Sequence, residues 1–78
     1  MKILVSDPVL VDDLVAFLRR CDCSVHRVGS RAVEAVPPHS ELEFAYLRME
    51  LDAYLRVWRE MNPGVTAELL EPTVAAAG

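Results

Sequence analysis

The sequence predicts a single α+β domain. Two segments carry apolar residues at the three- and four-residue spacing of an amphipathic helix, and four short apolar runs of strand length flank them. Segments containing Gly, Pro, Ser and Asp separate these elements, and no repeat or low-complexity linker divides them. The predicted order is therefore β-α-β-β-α-β, with the domain over residues 1–70 and a flexible tail over residues 71–78.

The first strand, MKILVS, ends where Asp7 and Pro8 begin a helix. The Asp7 carboxylate can accept hydrogen bonds from free amides of the first turn, and proline suits the first helical position. Acidic residues 12–13 near the start and arginines 19–20 in the last turn complement the helix dipole. The predicted buried face carries Leu10, Leu14, Phe17, Leu18 and Cys21.

The segment after this helix predicts a β-hairpin. A two-residue loop would place Val25 opposite Glu34 and mix apolar with polar faces. A loop of three residues, 29–31, instead pairs Val25 with Ala35. It also pairs His26 with Glu34, so we predict this register. One face of the hairpin then carries Cys23, Val25, Val33 and Ala35, and the other carries Ser24, His26, Val28, Glu34 and Val36.

The second helix is predicted from a capping box, Ser40 with Glu43, to about Met61, where Asn-Pro-Gly stops it. Residues 65–70 then alternate and predict a fourth strand, and without it the fold would be a three-stranded β-α-β-β-α unit. The predicted core stripe of the helix consists of Phe44, Leu47, Leu51, Tyr54, Leu55, Trp58 and Met61.

This order of elements resembles the ferredoxin-like split βαβ plan over residues 1–70. The resemblance implies an antiparallel sheet of order 4-1-3-2 with both helices on one face. It does not extend to the functional motifs of that plan. The loop after strand 1 is acidic and lacks the glycine-rich phosphate cradle of acylphosphatases, and the strands lack the aromatic residues of RNA-recognition domains.

The charge pattern excludes several partners. The net charge is −4 with a pI of about 5.0, and the arginines are scattered among acids, which argues against nucleic-acid binding. Acidic residues interrupt the first fifteen positions, so no signal peptide is predicted, and no apolar run suits a bilayer. We therefore expect a cytoplasmic protein whose two cysteines remain thiols.

The proximity of Cys21, Cys23 and His26 in the sequence suggests a metal site as one chemical hypothesis. Structural zinc sites usually pair cysteines as C-x₂₋₄-C and need four ligands, whereas this spacing is C-x-C with no second pair. On a strand, Cys23 and His26 also point to opposite faces. We predict no metal, no cofactor and no catalytic residues, since no nucleophile accompanies either histidine.

The apolar fraction, 53% with a mean hydropathy of +0.21, is more than one small monomer can bury. On helix 2 a second apolar band could pack on helix 1 or form an exposed patch; it consists of Leu42, Tyr46, Met49, Ala53 and Val57. The outer sheet face is the other candidate. We predict a non-enzymatic association domain that forms a homodimer or binds a partner protein through His26, Val28, Glu34, Val36, Leu42, Tyr46, Met49 and Val57. The alternative is a regulatory domain resembling the ACT type, with a metabolite at a dimer interface.

Overall fold

The computed structural model describes residues 1–38 and 43–70. Its elements are β1 (Lys2–Val5), a 3₁₀ turn (Pro8–Leu10), α1 (Val11–Arg20), β2 (Ser24–Arg27), β3 (Ala32–Val36), α2 (Phe44–Met61) and β4 (Ala67–Leu70). The predicted α+β class, with four strands and two helices, is confirmed. The predicted tail, residues 71–78, lies outside the described residues.

The four strands form one sheet in the order β2-β3-β1-β4, and every neighbouring pair is antiparallel. The fourth strand begins at Ala67, two residues later than predicted, so the three-stranded alternative is wrong. The hairpin register is confirmed, because Val25 pairs with Ala35 and His26 with Glu34. This register was predictable because a shift by one residue would turn every apolar side chain away from the core.

Helix α1 begins and ends with local capping interactions. The Asp7 carboxylate accepts a hydrogen bond from the Val9 amide at 3.0 Å, as the sequence predicts, but the first turn is 3₁₀ and the α-helix starts at Val11. At the other end, Asp22 has a left-handed φ of 65° and the Cys23 amide donates to the Leu18 carbonyl. This Schellman-type ending turns the chain directly into β2.

The capping box predicted for helix 2 is wrong. The helix begins at Phe44 with Glu43 as its N-cap, and the Glu43 side chain makes no capping hydrogen bond. Instead, the Glu43 carbonyl accepts from the Tyr46 and Leu47 amides, which is the ordinary first turn of a helix. The other residue of the proposed box, Ser40, lies outside the described residues.

The core lies between the helices and the inner face of the sheet. Trp58 is fully buried there, and its indole Nε1 donates to Asp13 Oδ2 on α1 at 2.9 Å. The other fully buried large side chains are Ile3, Val5, Val11, Leu14, Leu18, Val33, Leu51 and Leu55. On α1, Val11 and Val15 are buried although the predicted buried face does not include them, whereas Leu10, Phe17 and Cys21 are only half-buried.

Two residues of the predicted α2 core stripe are exposed. Phe44 retains 48% and Met61 57% of its accessible surface, and they are the first and last residues of the helix. An 18-residue helix is about 27 Å long, whereas strands of four or five residues span about 15 Å. Both ends of α2 therefore extend beyond the sheet that buries its middle.

Candidate interaction surfaces

The outer face of the sheet is the side opposite the helices. Alternation along the strands sends Ile3 and Val5 into the core and leaves Lys2 and Leu4 outside. In residues 1–38 and 43–70, no element covers this outer face. Its larger apolar side chains keep between 37% and 47% of their surface exposed; they are Leu4, Val28, Val36 and Leu70.

Strand pairing arranges most of the outer face in two adjacent cross-strand rows, beside the outer pair of Ser24 and Val36. One row contains most of the charge and runs through Leu70, Lys2, Glu34 and His26. The other is mainly apolar and runs through Glu68, Leu4 and Ala32 to Val28, whose amide donates to the Ala32 carbonyl at 2.9 Å. The face therefore offers an apolar centre beside a row that contains both signs of charge.

The predicted pair of His26 and Glu34 is correct in position, but the two side chains do not interact. The Glu34 carboxylate instead forms an ion pair with the N-terminal ammonium group of Met1, which also donates to the Ala35 carbonyl at 2.7 Å. The His26 side chain is exposed and forms no hydrogen bond with any described residue.

Each edge strand of the sheet, β2 and β4, is contacted by an arginine side chain from a helix. Arg19 of α1 donates to the Val25 carbonyl on β2 at 3.0 Å, and Arg59 of α2 donates to the Ala67 carbonyl on β4 at 3.0 Å. These carbonyls point outward, where an added strand would pair. Bulky charged side chains there oppose strand addition. The sequence predicts only a helix-dipole role for Arg19 and no role for Arg59, because neither sequence position reveals the tertiary contact.

The second apolar band of α2 is exposed. Tyr46, Met49 and Val57 retain 61%, 69% and 51% of their surface, and Ala53 between them is also exposed. For these residues, the hypothesis that the band packs on helix 1 is wrong. The contact between α2 and α1 includes Trp58, whose indole donates a hydrogen bond to Asp13 of α1. The remaining member, Leu42, lies outside the described residues.

A shallow groove of about 240 Å³ lies where the chain leaves β3 and enters α2. Its lining is apolar and consists of Met1, Ala35, Val36, Pro37, Phe44 and Leu47. A metabolite site needs a few convergent polar groups to orient its ligand, and the described residues contribute no polar side chain to this groove. Since Val36 belongs to both, the groove is continuous with the outer face of the sheet.

The structure separates two of the three candidate metal ligands, Cys23 and His26. Cys23 is buried on the inner side of the sheet, whereas His26 is exposed on the outer side. The described part of the chain contains no group of three or more His, Cys, Asp or Glu side chains placed to hold a metal ion. Burial raises the pKa of the Cys23 thiol to about 11, with smaller contributions from Cys21, Glu50 and Asp22.

The Cys23 thiol should therefore react more slowly in the folded chain than in the unfolded chain. At pH 8 a thiol of pKa about 11 holds about a hundredfold less thiolate than one at the ordinary value of 9, and the thiolate is the reactive form. We expect iodoacetamide to modify Cys23 at least a hundredfold more slowly in the folded chain than in urea. Single-cysteine variants C21S and C23S, followed by mass spectrometry, measure each rate. Equal rates for Cys23 in the folded and unfolded chain would contradict its burial.

None of the helices in the described residues has the length and apolar character required to cross a bilayer. Comparisons with protein-family models, curated proteins and solved structures found no match.

Proposed function

We propose that this chain is a small non-enzymatic association domain with the ferredoxin-like arrangement, and that it forms a homodimer through the outer face of its sheet. The observation that carries the proposal is the exposure of Leu4, Val28, Val36 and Leu70 on a face that no described element covers. In a second copy the same face would cover these side chains and remove their apolar surface from water. An isologous interface of this kind is the commonest form of homodimer.

Association through the sheet edges is less favourable than association through the face. The arginine contacts to the Val25 and Ala67 carbonyls occupy an outward acceptor on each edge strand. A new strand would have to displace a charged side chain from either carbonyl before it could pair. The outer face offers apolar contact without the displacement of either arginine.

The small area of the outer face predicts a weak homodimer. Four strands spaced by about 4.8 Å, each about 15 Å long, cover a flat area of roughly 300 Å². Stable complexes commonly bury about 800 Å² on each partner, so this interface belongs to the small class. We therefore expect a dissociation constant in the micromolar range, not a permanent dimer.

The exposed band of α2 supports the other predicted mode of association, which is the binding of a partner protein. The helices lie on the opposite side of the sheet from the outer face, so a dimer formed through that face leaves Tyr46, Met49 and Val57 accessible. We also propose a cytoplasmic location, which the two free thiols, Cys21 and Cys23, support. No observation favours the metabolite-sensing alternative over association.

Sedimentation velocity over a concentration series of about 1 to 500 μM tests the proposed dimer. We expect the weight-average sedimentation coefficient to rise with concentration toward that of a dimer. A coefficient that stays at the monomer value through the highest concentration would contradict the proposal, as would a rise that continues past the dimer without a plateau.

A further inference from the structure

We propose that the second copy docks about a two-fold axis that runs between β1 and β3, parallel to the strands, so that Lys2 meets Glu34 of the second copy. This inference rests on the proposed homodimer and specifies its geometry. The occupant of the outer face is then a second copy of this chain, selected by complementary charge and by side-chain size.

The position of the axis follows from the strand order. When two identical faces stack, their two-fold axis must lie in the plane between them. In the order β2-β3-β1-β4, the middle of the sheet lies between β3 and β1. An axis there places β1 over β3 of the second copy and β4 over β2, so all four strands overlap. Two sheets stacked in this way have nearly aligned strands, which is one of the two common packings.

This axis places each cross-strand row of one copy over the same row of the second copy, with its residues in the opposite order. Lys2 and Glu34 are Cα partners in one chain, so Lys2 of each copy faces Glu34 of the other. In the same way Leu4 faces Ala32. Leu4 is 41% exposed and Ala32 only 8%, so a protruding side chain meets a small one. Between the outer strands, His26 faces Leu70, and Glu68 faces Val28.

The charges at the centre are available for such contacts. Lys2 is the chain's one lysine; it lies exposed on the central strand β1 and forms no ion pair with the rest of the described chain. Glu34 already holds the Met1 ammonium group, but a carboxylate has two oxygens and can accept from a second cation. The dimer would contain two such pairs, related by symmetry, and would place no like charges opposite each other at its centre.

A competing geometry pairs Lys2 with Glu68 of the second copy. Lys2 lies opposite Leu70 and Leu4 opposite Glu68, so Lys2 and Glu68 are diagonal neighbours on the outer face. The axis that exchanges them would cross the strands obliquely and turn the two sheets close to a right angle. It would lie near one edge of the sheet, so β2 would have no counterpart to cover it.

Charge reversal separates the two geometries. In a homodimer of Lys2→Glu the variant glutamate faces Glu34, and in a homodimer of Glu34→Lys the variant lysine faces Lys2. We expect each variant alone to dimerise at least tenfold more weakly than the unmodified chain. In an equimolar mixture both central pairs have opposite charges again, so the heterodimer should recover to within about threefold of the unmodified affinity.

The matched control is a mixture of Lys2→Glu with Glu68→Lys, and sedimentation velocity measures all samples. Recovery only in the mixture that contains Glu34→Lys supports the axis between β1 and β3. Recovery only with Glu68→Lys, or recovery in neither mixture, overturns this geometry while the homodimer itself stands. Circular dichroism checks that each variant is folded. If the unmodified chain itself remains monomeric, the proposed homodimer is rejected, and not only its geometry.

Discussion

Replacing Trp58 with alanine should lower the free energy of unfolding by about 3–5 kcal/mol. Trp58 is fully buried in the last turn of α2 and is the largest side chain in the core. Its removal leaves a cavity that the surrounding side chains, held by the sheet and α1, can fill only in part. A domain of 78 residues has a total stability of roughly 4–12 kcal/mol, so this one change could remove most of it.

The variant Trp58→Phe separates packing from hydrogen bonding. It retains most of the ring but cannot donate to Asp13, so we expect a smaller loss, about 1 kcal/mol from the hydrogen bond with a further contribution from lost volume. Asp13→Ala should cost a similar hydrogen-bond contribution, and the double variant should cost less than the sum of the two. Val57→Ala, at the adjacent but exposed position, is the control and should change stability by less than about 0.5 kcal/mol.

Urea unfolding followed by far-ultraviolet circular dichroism provides these values, because the chain has no other tryptophan whose fluorescence could report. If Trp58→Ala lowers the free energy of unfolding by less than about 1 kcal/mol, the burial of Trp58 in the core would be contradicted.

Replacing Leu4 with lysine should weaken the homodimer at least thirtyfold, which corresponds to about 2 kcal/mol. The new ammonium group would have to leave water to meet Ala32 of the second copy, and the cost of removing a charge from water can exceed the attraction of a neighbouring carboxylate such as that of Glu68. The isolated chain should tolerate the change, because Leu4 is 41% exposed and pairs across the strands with Glu68, which favours a nearby cation.

Met49→Lys is the matched control for this experiment. It makes the same kind of change at an exposed apolar position on α2, away from the outer face of the sheet. Sedimentation should give Met49→Lys the affinity of the unmodified chain. If Met49→Lys dissociates the dimer and Leu4→Lys does not, the band on α2 is the interface instead.

The parts of the fold that sequence could predict are those governed by nearby residues. The Asp7 cap and the hairpin register depend on contacts within a few positions along the chain or across one turn, and both are confirmed. The capping box failed although its pattern is also local, because Ser-x-x-Glu marks a possible helix start without excluding a later one. The structure starts the helix at Phe44.

The remaining differences depend on tertiary geometry. Periodicity places Phe44 and Met61 on the apolar side of α2, but whether they are buried depends on how far the sheet extends beneath them. The contacts of Arg19 and Arg59 with edge carbonyls join residues whose proximity only the packed fold defines. For the same reason, sequence could identify the second α2 band but not decide whether α1 covers it.

The central claim is that two copies meet through the outer face of the sheet. Isotope-filtered nuclear Overhauser spectroscopy on a mixture of labelled and unlabelled chains, at a concentration where the dimer predominates, tests it most directly. We predict intermolecular contacts between the methyl groups of Leu4 and Ala32, with further contacts from Val28, Val36 and Leu70. Intermolecular contacts confined to Tyr46, Met49 and Val57 would contradict it.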